Sequence, residues 1–307
     1  MIFTVTPNPV LDRTLTVREI VFDEMTRAAA VREDCGGKGF NVSRALYALG
    51  VESVAMGFVG GATGRRLEAG LHGLGIATDL TRIAGETRTN IVITEAESGR
   101  YVKVNEAGPA VQPAELAAFF DRVRATAQPG DVWALCGSLP LGTPPDFYAR
   151  LIVSLQTRGA KALLDTSGEP LRLGLEACPY LVKPNAVEAQ ALTGRAILSD
   201  VDAVAAAEAF LAQGVQVVAL SLGAEGLLLA TPEMRVRARP PRVTVRNPTG
   251  AGDALLAGLI YALRASLPLE ALARWGVASG TVAAMQEGVS VGTLAEVGAF
   301  CARVSVG

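Results

Sequence analysis

Short runs of β-branched and other apolar residues alternate along the chain with longer segments whose apolar residues recur at helical spacing. The short runs predict buried strands at Ile2 to Thr6, Ser53 to Val59, Val132 to Cys136, Ala162 to Asp165, Leu181 to Lys183 and Val215 to Leu220. The longer segments predict helices at Asn41 to Leu49, Pro113 to Ala127, Pro144 to Thr157, Asp200 to Gln213, Gly252 to Ala265 and Leu269 to Met285. This alternation is typical of an α/β fold with a mostly parallel sheet and helices on both faces.

Two segments break this rhythm, Thr14 to Arg32 and Thr87 to Val104. Polar and apolar residues alternate in them, and the second contains a turn at Glu97-Ser98-Gly99. Such a pattern predicts a small antiparallel sheet apart from the main core, which could act as a lid. Because no repeat, low-complexity tract or Pro/Ser-rich linker marks a boundary, we expect one domain spanning residues 1–307.

Composition narrows the class of protein. The 28 Lys and Arg residues nearly balance the 30 Asp and Glu residues, which argues against nucleic acid or an anionic membrane as a partner. Cys35, Cys136, Cys178 and Cys301 form no C-x-x-C pair, so a reducing cytoplasm is expected and a disulfide framework is not. A single histidine, His72, disfavours a Ser-His-Asp triad or a histidine metal site.

The segment from Asn247 to Asp253 places a glycine-rich turn and a carboxylate at the start of an apolar helical pattern. The backbone amides of Gly250, Ala251 and Gly252 can converge on an anion at the positive end of the helix dipole. Asp253 would then be a general base that takes a proton from an attacking hydroxyl beside a transferring phosphoryl group. The alternative is that Asp253 is simply a helix cap.

A second glycine cluster, Gly36-Gly37-Lys38-Gly39, leads directly into the helical pattern at Asn41. It matches neither a phosphate-binding Walker A loop nor a dinucleotide fingerprint, which disfavours an NAD-linked oxidoreductase. Lys38 lies among free amides at a helix start and is a candidate ligand for a substrate phosphate, unless it is a solvated loop lysine.

Polar residues also follow several predicted strands, where ligands of open α/β sheets bind. Asn185 and Glu188 lie one helical turn apart and could hold water around Mg²⁺, or could form a capping box. Asp12 is suited to bonding sugar hydroxyls, unless it forms an Asx turn. The turns at Gly137-Ser138-Leu139-Pro140 and Ser221-Leu222-Gly223 end two further strands, and the second could approach a nucleotide.

In chain order these motifs resemble the PfkB (ribokinase-like) family of carbohydrate kinases over essentially the whole sequence. The matching motifs are Gly36-Gly37-Lys38-Gly39-x-Asn41, Lys183-Pro184-Asn185-x-x-Glu188, Ser221-Leu222-Gly223-x-x-Gly226 and Gly250-Ala251-Gly252-Asp253. The run from Lys103 to Pro109 is similar to the branch of 1-phosphofructokinases and tagatose-6-phosphate kinases. That branch usually has Pro where Ala107 stands, a difference expected to affect loop stiffness more than chemistry.

The resemblance implies a role for each motif residue. Asp253 is the base, and the amides from Gly250 to Gly252 form the anion hole. Asn185 and Glu188 organise Mg²⁺. Residues that line the ATP site are Lys183, Asn185, Ser221, Gly223 and Gly226. Those that hold the sugar are Asp12, Gly37 and Asn41. Those that bind the phosphate already on the sugar are Lys38, Arg88, Ser138, Arg27 and Lys103.

The function implied is ATP- and Mg²⁺-dependent phosphorylation of a ketohexose monophosphate, with fructose 1-phosphate converted to fructose 1,6-bisphosphate as the first choice. A tagatose-6-phosphate kinase or a 6-phosphofructokinase of the same family is an alternative, since motifs do not reveal the configuration at one sugar carbon. A non-catalytic sugar-phosphate or nucleotide sensor is a rival of another class, disfavoured by Asp253. The resemblance also implies a doubly wound α/β domain with a small β-sheet lid, and the branch implies a homodimer that pairs through the lids.

Overall fold

The computed structural model describes residues 1–288 and 290–307. Within them the strands are β1 (Ile2–Thr6), β2 (Val10–Val17), β3 (Ala30–Gly36), β4 (Val54–Val59), β5 (Ala77–Arg82), β6 (Arg88–Glu95), β7 (Tyr101–Val104), β8 (Val132–Cys136), β9 (Lys161–Asp165), β10 (Leu181–Val182), β11 (Val217–Ser221), β12 (Leu227–Ala230), β13 (Arg235–Arg239) and β14 (Ser305–Val306).

The helices in the same residues are α1 (Lys38–Ala48), α2 (Gly61–Gly73), α3 (Pro113–Thr126), α4 (Phe147–Gln156), α5 (Gly168–Glu176), α6 (Ala186–Thr193), α7 (Asp200–Leu211), α8 (Ala251–Arg264), α9 (Leu269–Met285) and α10 (Leu294–Cys301). No helix of the described chain is both long enough and apolar enough to cross a membrane.

The main sheet has the strand order β14-β13-β12-β11-β10-β9-β8-β1-β4-β5. Neighbouring strands are parallel from β5 to β11, and an antiparallel meander, β11 to β14, completes one edge. Side chains of β8 alternate between two cores, with Trp133 and Leu135 on one face and Ala134 and Cys136 on the other. Both faces are therefore buried in the centre of the sheet, which explains why central strands such as β8 read as continuous apolar runs.

The α/β fold predicted from the sequence is confirmed, and each predicted strand and helix exists with its ends within three residues of the prediction. The helices that the sequence pattern did not predict are α2, α5, α6 and α10, and the unpredicted strands include β5 and β12. In α2 only Gly64, Leu67 and Leu71 are buried, so its apolar periodicity is too sparse to detect among its glycines.

A separate small sheet forms where the two irregular segments were noted, with the strand order β3-β2-β6-β7. The outer pairs are antiparallel, but β2 and β6 run parallel in the centre, so the prediction of a purely antiparallel sheet was wrong. Alternation of polar and apolar residues identifies a half-exposed strand without revealing its direction. The long connection between β2 and β6 leaves room for the crossover that a parallel pair needs.

The two faces of the small sheet differ in chemistry. Cross-strand partners share a face, so the register assigns each side chain to one side. One face carries the apolar side chains of Leu15, Val31, Ile91, Ile93, Val102 and Val104. The opposite face carries Asp12, Asn90, Arg32 and Lys103. The sheet therefore has a polar side and a largely exposed apolar side.

Candidate active site

The candidate site lies where the carboxyl ends of the parallel strands meet. Asp165 is the last residue of β9, Lys183 follows β10, and Ser221 ends β11. Because these three strands are adjacent and parallel, their last residues come to the same edge of the sheet. A backbone hydrogen bond of 2.9 Å, donated by the Gly137 amide to the Asp165 carbonyl, holds the ends of β8 and β9 together there.

Helix α1 brings Lys38 and Asn41 to this edge. The helix begins after Gly37, whose φ of 125° lies in the region that favours glycine. A Cβ atom at Gly37 would lie 2.5 Å from the Cγ2 atom of Thr6, so a larger residue would push the helix away from the end of β1. The glycine cluster is thus explained by close packing, which places the first turn of α1 over the strand ends.

Helix α8 brings Asp253 to the same place. Its N-cap is Gly250, with a left-handed φ of 81°, and Asp253 is the third helical residue rather than the cap. The Asp253 side chain is buried, and its Oδ2 atom accepts a hydrogen bond of 2.8 Å from Nδ2 of Asn41. The alternative interpretation of Asp253 as a helix cap is therefore wrong.

Sequence reasoning missed a buried carboxylate between two lysines. The Asp165 side chain has no exposed surface, and its Oδ1 atom accepts a hydrogen bond of 2.8 Å from Nζ of Lys38. Nζ of Lys183 lies 3.1 Å from the other oxygen, at ion-pair distance although outside hydrogen-bond geometry. Asp165 ends a predicted strand, and the strand-end argument applied to Asn185 and Glu188 would have found it too.

Burial and the neighbouring charges shift the pKa values of both aspartates in this cluster. Burial raises the pKa of Asp253 to about 6, with a further contribution from the negative charge of Asp165, against the opposing effects of Asn41, Lys38 and Lys183. Burial also disfavours the charged form of Asp165, but the two lysines outweigh it and hold its pKa below the usual range. Asp165 is therefore a permanent anion at neutral pH, whereas Asp253 is a carboxylate that readily accepts a proton.

Lys183 also reaches the predicted anion hole. Its Nζ atom lies 3.6 Å from the position that a Cβ atom would take on Gly252. The first turn of a helix leaves amides without partners inside the helix. Of the three amides named for the hole, that of Ala251 donates to the Pro248 carbonyl at 3.3 Å. An ammonium and the start of α8 thus share one half-buried corner that suits an anion.

The capping-box interpretation of Asn185 and Glu188 is confirmed. The Asn185 side chain accepts from the Glu188 amide, and the Glu188 carboxylate accepts from the Asn185 amide, each at 2.9 Å. Both side chains remain partly exposed, and Asn185 bridges to Ser221 on the neighbouring strand. Within residues 1–288 and 290–307 no cluster of three metal-binding side chains exists. Oxygen donors of this kind fit Mg²⁺ only if water and phosphate oxygens complete its shell.

The two glycines after Ser221 differ. A Cβ atom at Gly226 would lie 2.2 Å from the Ala238 carbonyl oxygen, so this glycine is explained by packing. A Cβ atom at Gly223 would meet nothing within 4 Å, although its φ is 58°. Gly223 therefore faces open space, next to the strand end where Ser221 meets Asn185.

The proposed sugar-binding residues lie partly on the small sheet. Asp12 belongs to β2, so the Asx-turn interpretation is wrong, and its Oδ1 atom accepts 2.9 Å from Nδ2 of Asn90. The guanidinium of Arg88 donates to the carbonyls of Asn8, Pro9 and Glu106, which ties the exit of β1 to the loop after β7.

The remaining phosphate-binding candidates are less constrained. Arg27 and Ser138 are exposed in loops, and Lys103 is exposed on the polar face of the small sheet. A groove of about 660 Å³ lies beside Arg88 and is lined in part by Glu86, Glu106 and Pro109. Neither Asp253 nor Lys38 lines this groove, so it is distinct from the cluster of charges around Asp165.

Comparison with known proteins agrees with this geometry. The sequence profile described as pfkB family carbohydrate kinase matches residues 8–295. The chain is 39% identical over 264 residues to a protein named 1-phosphofructokinase from Xanthomonas campestris pv. campestris, covering 85% of this chain and 83% of that protein. It is 35% identical to the 1-phosphofructokinase of Bacillus subtilis, covering 94% and 93% of the two chains.

Solved structures are similar over nearly the whole fold. The crystal structure of phosphofructokinase-2 from Escherichia coli in complex with potassium has a TM-score of 0.93 at 29% identity, and the match covers 98% of both chains. Fold, site geometry and sequence thus point the same way, and the chain belongs to the pfkB family of carbohydrate kinases.

Proposed function

We propose that this kinase transfers the γ-phosphoryl group of ATP to fructose 1-phosphate and yields fructose 1,6-bisphosphate. The observation that carries the proposal is the buried Asp253 carboxylate at the start of α8, which accepts a hydrogen bond from Asn41. Nearby, Lys38 and Lys183 both pair with the carboxylate of Asp165. Two curated relatives carry the name 1-phosphofructokinase, which favours this acceptor.

In this proposal Asp253 accepts the proton of the attacking sugar hydroxyl. A pKa of about 6 leaves it largely ionised at pH 7, yet more basic than an ordinary aspartate. Asn41 donates to one of its oxygens and thereby orients the carboxylate towards the acceptor. The amides at the start of α8 and the ammonium of Lys183 stabilise the negative charge of the phosphoryl group in transfer.

ATP is the phosphoryl donor in the family, and we assign its phosphates to the corner formed by Gly250, Ala251, Gly252 and Lys183. The open turn at Gly223 and the neighbouring Ser221 suit the rest of the nucleotide. Mg²⁺, when bound, neutralises phosphate charge. Asn185 and Glu188 would hold it through water, because each already accepts a backbone hydrogen bond in the capping box.

The acceptor would lie between the strand ends and the polar face of the small sheet. Asp12, Gly37 and Asn41 would hold the sugar. The donors assigned to its existing phosphate are Lys38, Arg88, Ser138, Arg27 and Lys103. A dianion needs several such donors in a chain whose net charge is -2.

The small sheet would act as the lid of the site and as the dimer interface. Its polar face carries Asp12, and Arg32 on the same face lies close to Gly288 of the main domain, with Nη1 3.3 Å from a Cβ position there. Part of its apolar face is exposed in the single chain: Val31 is 53% and Val104 58% exposed. A second copy would bury this face and form a homodimer.

The decisive experiment measures ATP-dependent phosphorylation of fructose 1-phosphate, fructose 6-phosphate, tagatose 6-phosphate and free fructose. We expect the highest kcat/KM with fructose 1-phosphate and a loss of about 100-fold or more in kcat for Asp253→Asn. A preference for fructose 6-phosphate would favour the alternative suggested by the similarity to phosphofructokinase-2. Binding of sugar phosphate and ATP without turnover would indicate a sensor and refute the proposal.

A further inference from the structure

Asp165 joins two cations that come from separate elements. Lys38 is the first residue of α1, and Lys183 follows β10, yet both ammonium groups lie within 3.1 Å of the same carboxylate. The backbone of Asp165 is fixed as well, since its carbonyl accepts from the Gly137 amide, and Thr166 donates to the Gly137 carbonyl at 2.8 Å. The carboxylate is thus a rigid point between two long, flexible side chains.

The two lysines contact the two different oxygens of Asp165 and adjoin different elements of the site. Lys38 is one helical turn before Asn41, the residue that binds Asp253. Lys183 is beside Gly252, at the start of α8. The side chain of Lys38 is 39% exposed and that of Lys183 only 6%, so Lys38 can meet an acceptor that enters from solvent. Without the Asp165 carboxylate, the ammonium groups of Lys38 and Lys183 would each lose the ion pair described above.

We infer that Asp165 is a positioning residue that fixes Lys38 on the acceptor side and Lys183 on the phosphoryl-donor side of Asp253. The inference rests on the proposed function, because it assigns one lysine to the sugar phosphate and the other to ATP. Asp165 itself touches neither substrate. It holds the positive charges where the phosphoryl group travels, and its own charge makes their burial tolerable.

A purely structural ion pair would have different consequences. Loss of a structural pair lowers stability and the amount of folded enzyme, but it leaves KM and the pH profile of the folded fraction unchanged. Loss of a positioning carboxylate frees both lysines and removes a negative charge beside Asp253. The groups that face Asp253 are Asp165, Lys38, Lys183, Asn41 and the buried thiol of Cys136.

The test compares Asp165→Asn with the unmodified enzyme on the same sugar phosphate. We expect KM to rise for both the sugar phosphate and ATP, and kcat to fall about tenfold or more. The acid limb of the pH profile should move to lower pH by about half a unit or more, because the charge of Asp165 raises the pKa of Asp253. Sugar phosphates also titrate near pH 6, but this contribution cancels between variants.

A second variant, Lys38→Gln, removes the partly exposed end of the same pair. Its acid limb should move the opposite way, to higher pH, because the ammonium lowers the pKa of Asp253. Its KM should rise for the sugar phosphate alone. In the double variant that combines Lys38→Gln with Asp165→Asn, the second substitution should add little to the increase in KM for the sugar phosphate. This variant tests the inference even if Asp165→Asn fails to fold.

Asp131→Asn is the matched control. Asp131 is also a buried, ion-paired carboxylate, with its Oδ1 atom 2.7 Å from the nitrogen of the amino terminus. It directly precedes β8, so it lies at the amino end of that strand, whereas the site lies at the carboxyl ends. The control substitution should change stability without moving KM or the acid limb. Equal pH profiles in all three variants, or additive effects in the double variant, would overturn the inference.

The inference and the proposed function can fail separately. If the enzyme prefers another sugar phosphate, the proposed acceptor is wrong, and the same comparisons are made with the preferred one. If no acceptor is phosphorylated, the proposed function is refuted. Calorimetric titration with ATP then still tests whether Asp165 positions Lys183 for ATP binding. An unchanged ATP affinity in Asp165→Asn would then overturn the position assigned to Lys183.

Discussion

At the scale of single residues, the burial that makes the Asp253 carboxylate more basic also lowers the stability of the fold. Burial raises its pKa from 3.8 to about 6, which means that the folded state holds the ionised carboxylate less favourably than the unfolded chain does. Between these two pKa values the folded state binds more protons, so this residue's contribution to stability falls as pH rises from about 4 to 6. Above pH 6 the cost is constant.

Asp253→Asn should therefore stabilise the fold at neutral pH while removing the base. We expect a gain of about 1–3 kcal/mol in the free energy of unfolding at pH 8, because the amide keeps its shape without a buried charge. The gain should shrink as pH falls from 6 to 4. Denaturant unfolding at several pH values measures this difference. A variant that is less stable than the parent at pH 8 would contradict the electrostatic assignment.

Lys38 and Lys183 differ in the substrate that each is expected to serve. Lys38→Ala should weaken binding of the sugar phosphate by about 1.5–3 kcal/mol, the usual contribution of a hydrogen bond to a charged group. The KM for ATP should barely change. Initial-rate kinetics with each substrate varied in turn measure both constants. A rise confined to the KM for ATP would place Lys38 in the nucleotide site instead.

At the scale of elements, the small sheet has the exposure and the few contacts expected of a segment that moves relative to the main domain. Its strands are partly or fully exposed, whereas central strands of the main sheet such as β1 and β8 are buried on both faces. Its links to the main domain include an ion pair between Glu33 and Arg66 of α2, and the guanidinium of Arg88. Segments with few buried apolar contacts open with low free energies, and active-site lids are drawn from them.

Hydrogen exchange should detect closure of this lid. Amides from Thr89 to Val104 should exchange more slowly when sugar phosphate and nucleotide are both bound, because the polar face of the sheet then covers substrate instead of water. Amides of β8, in the main core, should exchange equally slowly in both states. Equal exchange from Thr89 to Val104 with and without substrates would show that the sheet is not a lid.

At the scale of the whole molecule, the apolar face of the small sheet predicts the oligomeric state. Val102→Asp places a charge in the middle of that face and should convert a dimer into monomers, because an unpaired buried charge is costly at an interface. Sedimentation velocity measures the change. Leu198→Asp is the control, since Leu198 is 87% exposed outside that sheet. A dimer that survives Val102→Asp would require a different interface.

The sequence by itself determined the class of fold and proposed most residues of the candidate site. Runs of apolar residues and helical spacing are local patterns, so they predicted the buried strands and helices of the main domain. From glycine turns and strand ends the sequence also proposed Asp253 and Lys38 as candidates, and the family resemblance added Asn41 and Lys183. Helix α2 escaped prediction because its glycines leave too few apolar positions to define a period.

Only the tertiary structure decided how these residues meet. Asn41 and Asp253 are 212 positions apart, and Lys38 and Asp165 are 127 apart, so no local pattern relates them. The parallel pairing of β2 with β6 was equally hidden, because alternation has the same period in either direction. The strand order of the sheet sets these contacts, and with them the burial and neighbouring charges that raise the pKa of Asp253. A carboxylate becomes a base only in that environment, which the folded chain creates and the sequence pattern does not display.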